Sequence, residues 1–229
     1  MRRIVTFVLL ASLGARCEQD RFENPRENMI QTQIIARGVA DTATIRAMRS
    51  VPRHEFVPRQ FVQYAYDDHP LQIGYEQTIS QPYIVAFMTE LIKPHRGQRV
   101  LEVGTGSGYQ AAVLAEIVDS VFTVELIQEL AETAGARLKQ LGYRNVAVRQ
   151  GDGYLGWPEH APYDAILVTA AAEEIPLPLI AQLKEGGTLV IPVGPLSDIQ
   201  SLMVVRKEAD RIVTESVLPV RFVPLIHPH

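Results

Sequence analysis

The sequence predicts an α/β fold: a mostly parallel sheet covered by helices on both faces, ending in antiparallel strands and preceded by a small helical region. Three observations carry that prediction. Between Gly97 and Val193, short apolar runs of strand length alternate with segments of helical periodicity, the rhythm of a sheet whose parallel strands are joined by crossover helices. Two further apolar runs, 201–206 and 212–222, follow with no strong helix between them, which makes an antiparallel edge. The first third carries only short helical periods, broken by Gly38, Pro52 and Pro58. With 229 residues, 47% of them hydrophobic, the chain can bury one sizeable core and a smaller appendage.

The elements follow in order. Residues 1–25 read as an N-terminal segment and a linker. Arg2 and Arg3 precede an apolar run over 4–13, then Gly14 and Ala15, which is the pattern of an export signal and too short for an ordinary membrane span. An upstream extension outside the working protein is the alternative. The polar stretch 18–28 is expected to be linker. Residues 26–95 form a helical region. A helix over 29–37 is stopped by Gly38, Asp41 caps a second one that ends at Pro52, and 51–66 is irregular. Ser80-Gln81-Pro82 opens a stronger helix, with serine at the cap and proline in the first turn. Its apolar positions are Ile84, Val85, Met88, Leu91 and Ile92, and Pro94 closes it. Residues 96–229 form the core. Strands are predicted at 99–103, 120–125, 146–150, 163–169 and 187–193, and helices at 109–118, 126–141 and 178–183.

Charge and cysteine content exclude several function classes. A formal net charge of −4 leaves no basic footprint for nucleic acid. The single Cys17 forbids an intrachain disulfide. The six histidines are scattered, and no Cys/His cluster has metal-ligand spacing, so no metal is expected.

The informative segment runs from Val100 to Gly108: a buried strand enters Glu102-Val103-Gly104-Thr105-Gly106-Ser107-Gly108 and then a helix. Glycines allow positive φ and close approach of a ligand to the backbone. Ligands of open α/β sheets sit beyond the carboxyl ends of the strands. The spacing is G-x-G-x-G, where a dinucleotide site expects G-x-G-x-x-G with the pyrophosphate at the helix N-terminus. An acid before the first glycine would repel a diphosphate and suits a cation. Glu125 ends the next strand, where an acid can accept both ribose hydroxyls. Asp152, flanked by Gly151 and Gly153, follows the third and can accept from an adenine amino group. Three acids after three successive strands, with no basic residue among them, point to a cationic adenosine ligand, S-adenosyl-L-methionine.

These motifs resemble the protein-L-isoaspartate O-methyltransferase family. Thr78-Ile79-Ser80-Gln81-Pro82-Tyr83 is similar to the segment that precedes its methyltransferase core, and the stretch from Glu102 to Tyr109 to its first cofactor motif. Gly151-Asp152-Gly153, Pro162-Tyr163-Asp164-Ala165-Ile166, Thr169-Ala170-Ala171, Leu183-Lys184-Glu185-Gly186-Gly187 and Phe222-Val223-Pro224-Leu225 follow in family order, and Val51 to Pro58 matches upstream. The resemblance covers residues 26–226. It implies a Rossmann-like fold with a seven-stranded sheet whose strand order is modified at the C-terminal end. The implied reaction is methyl transfer from S-adenosyl-L-methionine to the α-carboxylate of L-isoaspartyl residues in damaged proteins. Ser80 matches the active-site serine. Gln77, Thr78, Ile79, Ser80, Glu102, Gly104, Thr105, Gly106, Gly108, Glu125, Leu126, Asp152 and Gly153 match cofactor positions. Ser80, Val223 and Pro224 are the expected substrate contacts. A monomer acting on isoaspartyl proteins, without nucleic acid or membrane, is expected. The family is cytosolic and its members usually begin near Met29, in tension with the signal-like start.

A carboxylate acceptor is already ionised at neutral pH and needs no general base. Catalysis then reduces to in-line positioning and exclusion of water. The residues alone leave two alternatives open: a methyltransferase of the same fold with another acceptor, and a non-catalytic module that keeps the cofactor pocket.

Overall fold

The computed structural model describes residues 21–209 and 211–228. The signal-like run over 4–13 and Cys17 lie outside the described residues. The backbone is helical from 21 to 37 (α1), passing through a π-turn at Ile30–Ile34 and a 3-10 turn at Ile35–Arg37, with Gly38 at φ +96° as the stop. The expected linker is therefore helix over its described part. Its sequence is polar because within it only Phe22 is buried. Helix α2 (Thr42–Ser50) starts at the Asp41 cap, whose Oδ2 accepts from the Thr44 N–H at 2.7 Å. The stretch expected to be irregular folds into two 3-10 segments, Arg53–Phe56 and Arg59–Tyr64. A hairpin follows, β1 (Leu71–Gly74) and β2 (Gln77–Ile79), which the sequence reading did not anticipate.

Helix α3 spans Pro82–Leu91 and its N-cap is Gln81. The expected Ser80 cap is thus corrected: Ser80 stands one residue before the cap. Proline at the first helical position fixes the entry there.

The main sheet has seven strands in the order β5-β4-β3-β6-β7-β8-β9. These are β3 (Arg99–Val103), β4 (Ser120–Glu125), β5 (Val146–Gln150), β6 (Tyr163–Val168), β7 (Leu183–Val193), β8 (Gln200–Glu208) and β9 (Arg211–Val220). The first five are parallel, and β8 and β9 join antiparallel. Between them lie α4 (Tyr109–Ala115), α5 (Gln128–Gln140) and α6 (Leu177–Ala181). The helix expected over 178–183 ends earlier, and β7 begins four residues before the expected start at Gly187. The fold class and the antiparallel C-terminal edge are as the sequence predicts.

Alternation along the strands divides the core. Val100, Val121, Ala165 and Val190 face α3, α4, α5 and the N-terminal region. Leu101, Val103, Ile166, Leu189 and Ile191 face α6 and Trp157. The chain leaves β3 toward β4 and β5 on one side and β6 and β7 on the other. The strand order therefore reverses between β3 and β6, where an open sheet forms its crevice.

Candidate active site

The loop after β3 lies at that crevice. Gly104 has φ +96°, its N–H donates to the Val124 carbonyl at 2.8 Å, and a Cβ there would sit 2.5 Å from Thr169 Oγ1. Gly106 has φ +52° and donates to Glu125 Oε2 at 2.8 Å. Gly108 points elsewhere: it is the N-cap of α4 and packs against Ala134 and Leu138 of α5. From the same helix Arg137 donates to the Ser107 carbonyl at 2.7 Å. The loop is thus held from both sides before any ligand arrives.

The three acids differ in environment. Glu102 is fully buried. Parallel register sets it beside Thr123, whose hydroxyl donates to its Oε2 at 2.5 Å, while Oε1 has no hydrogen-bond partner among the described residues. Burial raises its pKa to about 8, with the nearby Glu125 adding to the rise and the Thr123 bond opposing it. Glu125 accepts from the Gly106 and Ile127 N–H groups, one on each oxygen. Asp152 accepts from the Tyr154 N–H at 2.9 Å through Oδ1 and meets His227 Nδ1 at 2.5 Å through Oδ2. The His227 ring stacks on Tyr154 with centroids 4.6 Å apart.

Three concavities meet above the strands. The outer cavity is lined by Gly104, Gly106, Glu125, Leu126, Gly153 and Val223 among others, with Gln77 and Pro224 at its walls. A Cβ on Gly153 would lie 2.5 Å from Val103 Cγ1, so only glycine keeps this floor flat. The inner cavity is lined by Ile79, Ser80, Glu102, Thr105 and Tyr109. A surface groove runs between Arg37, Gln81 and the end of β9, past Ser80, Phe222 and Val223. Thr78 and Thr169 line all three, and Ser80 lines the inner cavity and the groove. Gly108 and Asp152 line none of them.

The donor set fits a cationic adenosine ligand. The outer cavity has an apolar lining from Val103, Val124, Leu126 and Ile127, with a carboxylate at its edge. The inner one presents the orphaned Glu102 oxygen, a buried acceptor that an ammonium group would satisfy.

Sequence reasoning missed Thr169, whose hydroxyl bonds the Val103 and Gly104 carbonyls. Its signal was available, a polar residue immediately after β6 at the switch point. It also missed the wall formed by Leu225 and Ile226, and Arg53, which is fully buried and donates to the Ser80 carbonyl at 2.8 Å. No local pattern separates that arginine from a surface one.

Comparison with known proteins agrees with this geometry. The family model described as protein-L-isoaspartate(D-aspartate) O-methyltransferase matches residues 24–229. The protein-L-isoaspartate O-methyltransferase of Opitutus terrae is 57% identical over 221 residues, covering 96% of this chain and 94% of that one. The protein of the same name from Gloeobacter violaceus is 54% identical, covering 86% and 96%. A solved structure with that name superposes at TM-score 0.79 with 34% identity, over 87% of this chain and 65% of the other. A Plasmodium falciparum chain named as a protein-L-isoaspartate O-methyltransferase, in complex with S-adenosyl-L-homocysteine, gives TM-score 0.76 at 25% identity, covering 88% of this chain and 98% of that one. Glycine loop, buried acid, converging cavities and a match over nearly the whole described chain lead to one assignment: this chain belongs to the protein-L-isoaspartate(D-aspartate) O-methyltransferase family.

Proposed function

We propose that the chain transfers a methyl group from S-adenosyl-L-methionine to the free α-carboxylate of L-isoaspartyl residues in proteins and peptides. The observation that carries this reading is the convergence of two adjoining cavities and an open groove on Thr78 and Thr169, with Ser80 between the inner cavity and the groove. A methyl donor held within and an extended peptide lying outside would meet only there.

When bound, the cofactor supplies a methyl group on a sulfonium, an activated leaving group; the protein's residues position and shield. Glu125, held by two backbone N–H groups, keeps lone pairs for the ribose hydroxyls. Gln77, Thr78, Gly104, Gly106, Leu126 and Gly153 form the adenosine walls, and Ile79 and Thr105 the inner lining. Glu102 takes the ammonium. Asp152, fixed by Tyr154 and His227, stands at the adenine end beside Gly153.

The Ser80 hydroxyl has no hydrogen-bond partner among the described residues and stands between cavity and groove, free to donate to the acceptor carboxylate. Val223 and Pro224 line the far side. No residue needs to remove a proton, because the acceptor is ionised near neutrality. The gain comes from alignment and from excluding water.

Residues 26–95 act in this scheme as the cover over a core of 96–229. The working enzyme is taken to be a monomer of the cytosol, where the methyl donor is made, acting on isoaspartyl proteins without nucleic-acid or membrane partners. No helix among the described residues is long and apolar enough to cross a membrane. Cell fractionation with sequencing of the mature N-terminus tests the location, and an exported chain starting just after Gly14 rejects it. The function itself is tested with labelled S-adenosyl-L-methionine and two peptides that differ only in an isoaspartyl or aspartyl linkage. Label should enter the isoaspartyl peptide alone. Equal labelling of both, or of neither, rejects the assignment.

A further inference from the structure

Arg53 is the largest fully buried side chain of the described structure. Its Nε donates to the Ala65 carbonyl at 2.7 Å and its Nη2 to the Ser80 carbonyl at 2.8 Å. The guanidinium centre lies 4.8 Å from the Tyr109 ring centroid. Nη1 is buried with no hydrogen-bond partner among the described residues. Burial lowers the pKa to about 10, so the group stays charged at neutral pH. Its hydrogen-bond acceptors are neutral carbonyls, and no carboxylate among the described residues pairs with it.

A buried cation without a counter-ion is costly, and simple packing does not require one. Two of the residues it touches, Ser80 and Tyr109, line the inner cavity. The guanidinium therefore stands directly behind the wall on which the acceptor carboxylate is placed in the reading above.

We propose that Arg53 is a positioning residue for the acceptor carboxylate: its fork fixes the Ser80 backbone from across 27 residues, and its unpaired charge makes the Ser80 wall selective for an anion. This rests on the proposed reaction. It adds a substrate determinant from the N-terminal region, remote in sequence from every glycine and acid of the cofactor loop. A bidentate donor bound to backbone also explains the choice of arginine, since lysine offers a point charge without the fork.

The test uses the full chain and two competing peptides, one isoaspartyl and one in which the free α-carboxyl is a carboxamide. Wild type must first methylate the isoaspartyl peptide over its aspartyl counterpart; failure there rejects the proposed function and leaves the Arg53 measurements interpretable as binding alone. In Arg53→Gln the ratio of affinities for the charged and neutral peptides should fall about tenfold or more, as expected for removing a buried charge that attracts the anion through the Ser80 wall. Calorimetric affinity for S-adenosyl-L-homocysteine should stay within about twofold, since a residue outside the cofactor cavity leaves uniform cofactor binding untouched. A preserved ratio, or a parallel loss of cofactor affinity, overturns the proposal. If Arg53→Gln does not fold, Arg53→Lys decides. Its charge remains but the fork is lost, so kcat should fall about fivefold or more while the affinity ratio holds. Unchanged kcat in the lysine variant overturns the positioning role.

Discussion

Glu102 shows how much one side chain can carry that sequence alone does not price. Its place before Gly104 was legible as an acid beside a glycine loop. Its burial was not, because that depends on β4 and β6 flanking β3 in register. Enclosed with a single hydroxyl donor, the carboxyl has its pKa pushed up by burial from the usual 4.5 to about 8. The sign follows from linkage. A folded pKa above the unfolded one gives stability that is complete below pH 4.5 and is lost as pH rises through about 8. Each pKa unit is worth about 1.4 kcal/mol, so the loss across this window is on the order of a few kcal/mol. Glu102→Gln has no proton to release. Without cofactor, its melting temperature relative to wild type should climb between pH 5.5 and 8.5, by about 2–4 °C per kcal/mol. A difference that stays flat across that range would mean the carboxyl is ionised throughout. Adding the cofactor should shrink the difference, because a bound ammonium favours the charged form.

At the scale of elements, strands of five residues or more were readable and the shorter ones were not. β3, β4 and β5 were placed to the residue because each is an apolar run bounded by turn residues. The β1–β2 hairpin escaped because its strands have four and three residues, too few for a period to show. Its turn holds Tyr75 and Glu76 at φ 53° and 58°, where the usual hairpin signal would be Asn-Gly. Yet this hairpin brings Gln77, Thr78 and Ile79 to the cavities. α3 was predicted correctly in existence and one residue out in its cap, and that difference matters for Ser80. A capping serine replaced by alanine costs about 0.5–2 kcal/mol. Because Gln81 is the cap, Ser80→Ala should melt within about 1 °C of wild type, as neutral surface changes do. Its kcat on the isoaspartyl peptide should fall by about 10- to 100-fold if the hydroxyl donates to the reacting carboxylate. Stopped unfolding curves and initial rates on the same preparation separate the two effects; a lower melting point with unchanged kcat would return Ser80 to a structural role.

For the whole molecule, the sheet builds only the floor of the site. Its remaining walls come from the hairpin before the core and from the C-terminal tail after it, segments about 140 residues apart in sequence. The tail is docked as an extra strand would be: the Ala171 N–H donates to the Val223 carbonyl, and the Leu225 N–H to the Ala171 carbonyl, each at 2.7 Å. Val223 to Ile226 then line the outer cavity, and His227 reaches Asp152. The sequence showed that Phe222-Val223-Pro224-Leu225 belonged to the family pattern, yet its closing role depends on β9 ending beside Ala171 and could not be read from spacing. This division gives a prediction that separates folding from closure. Deleting residues 224–229 removes the wall and the His227 contact while leaving the seven strands intact. The truncated protein should keep its far-UV circular dichroism and a cooperative melt. Its Kd for S-adenosyl-L-homocysteine should rise about tenfold or more, since losing the burial of one leucine-sized contact costs about 1.5–3 kcal/mol and each 1.4 kcal/mol is about a factor of ten. His227→Ala alone should show a smaller part of that rise. If truncation leaves the affinity unchanged, the cavity is closed by the hairpin and glycine loop without the tail, and the C-terminal residues serve the peptide groove only.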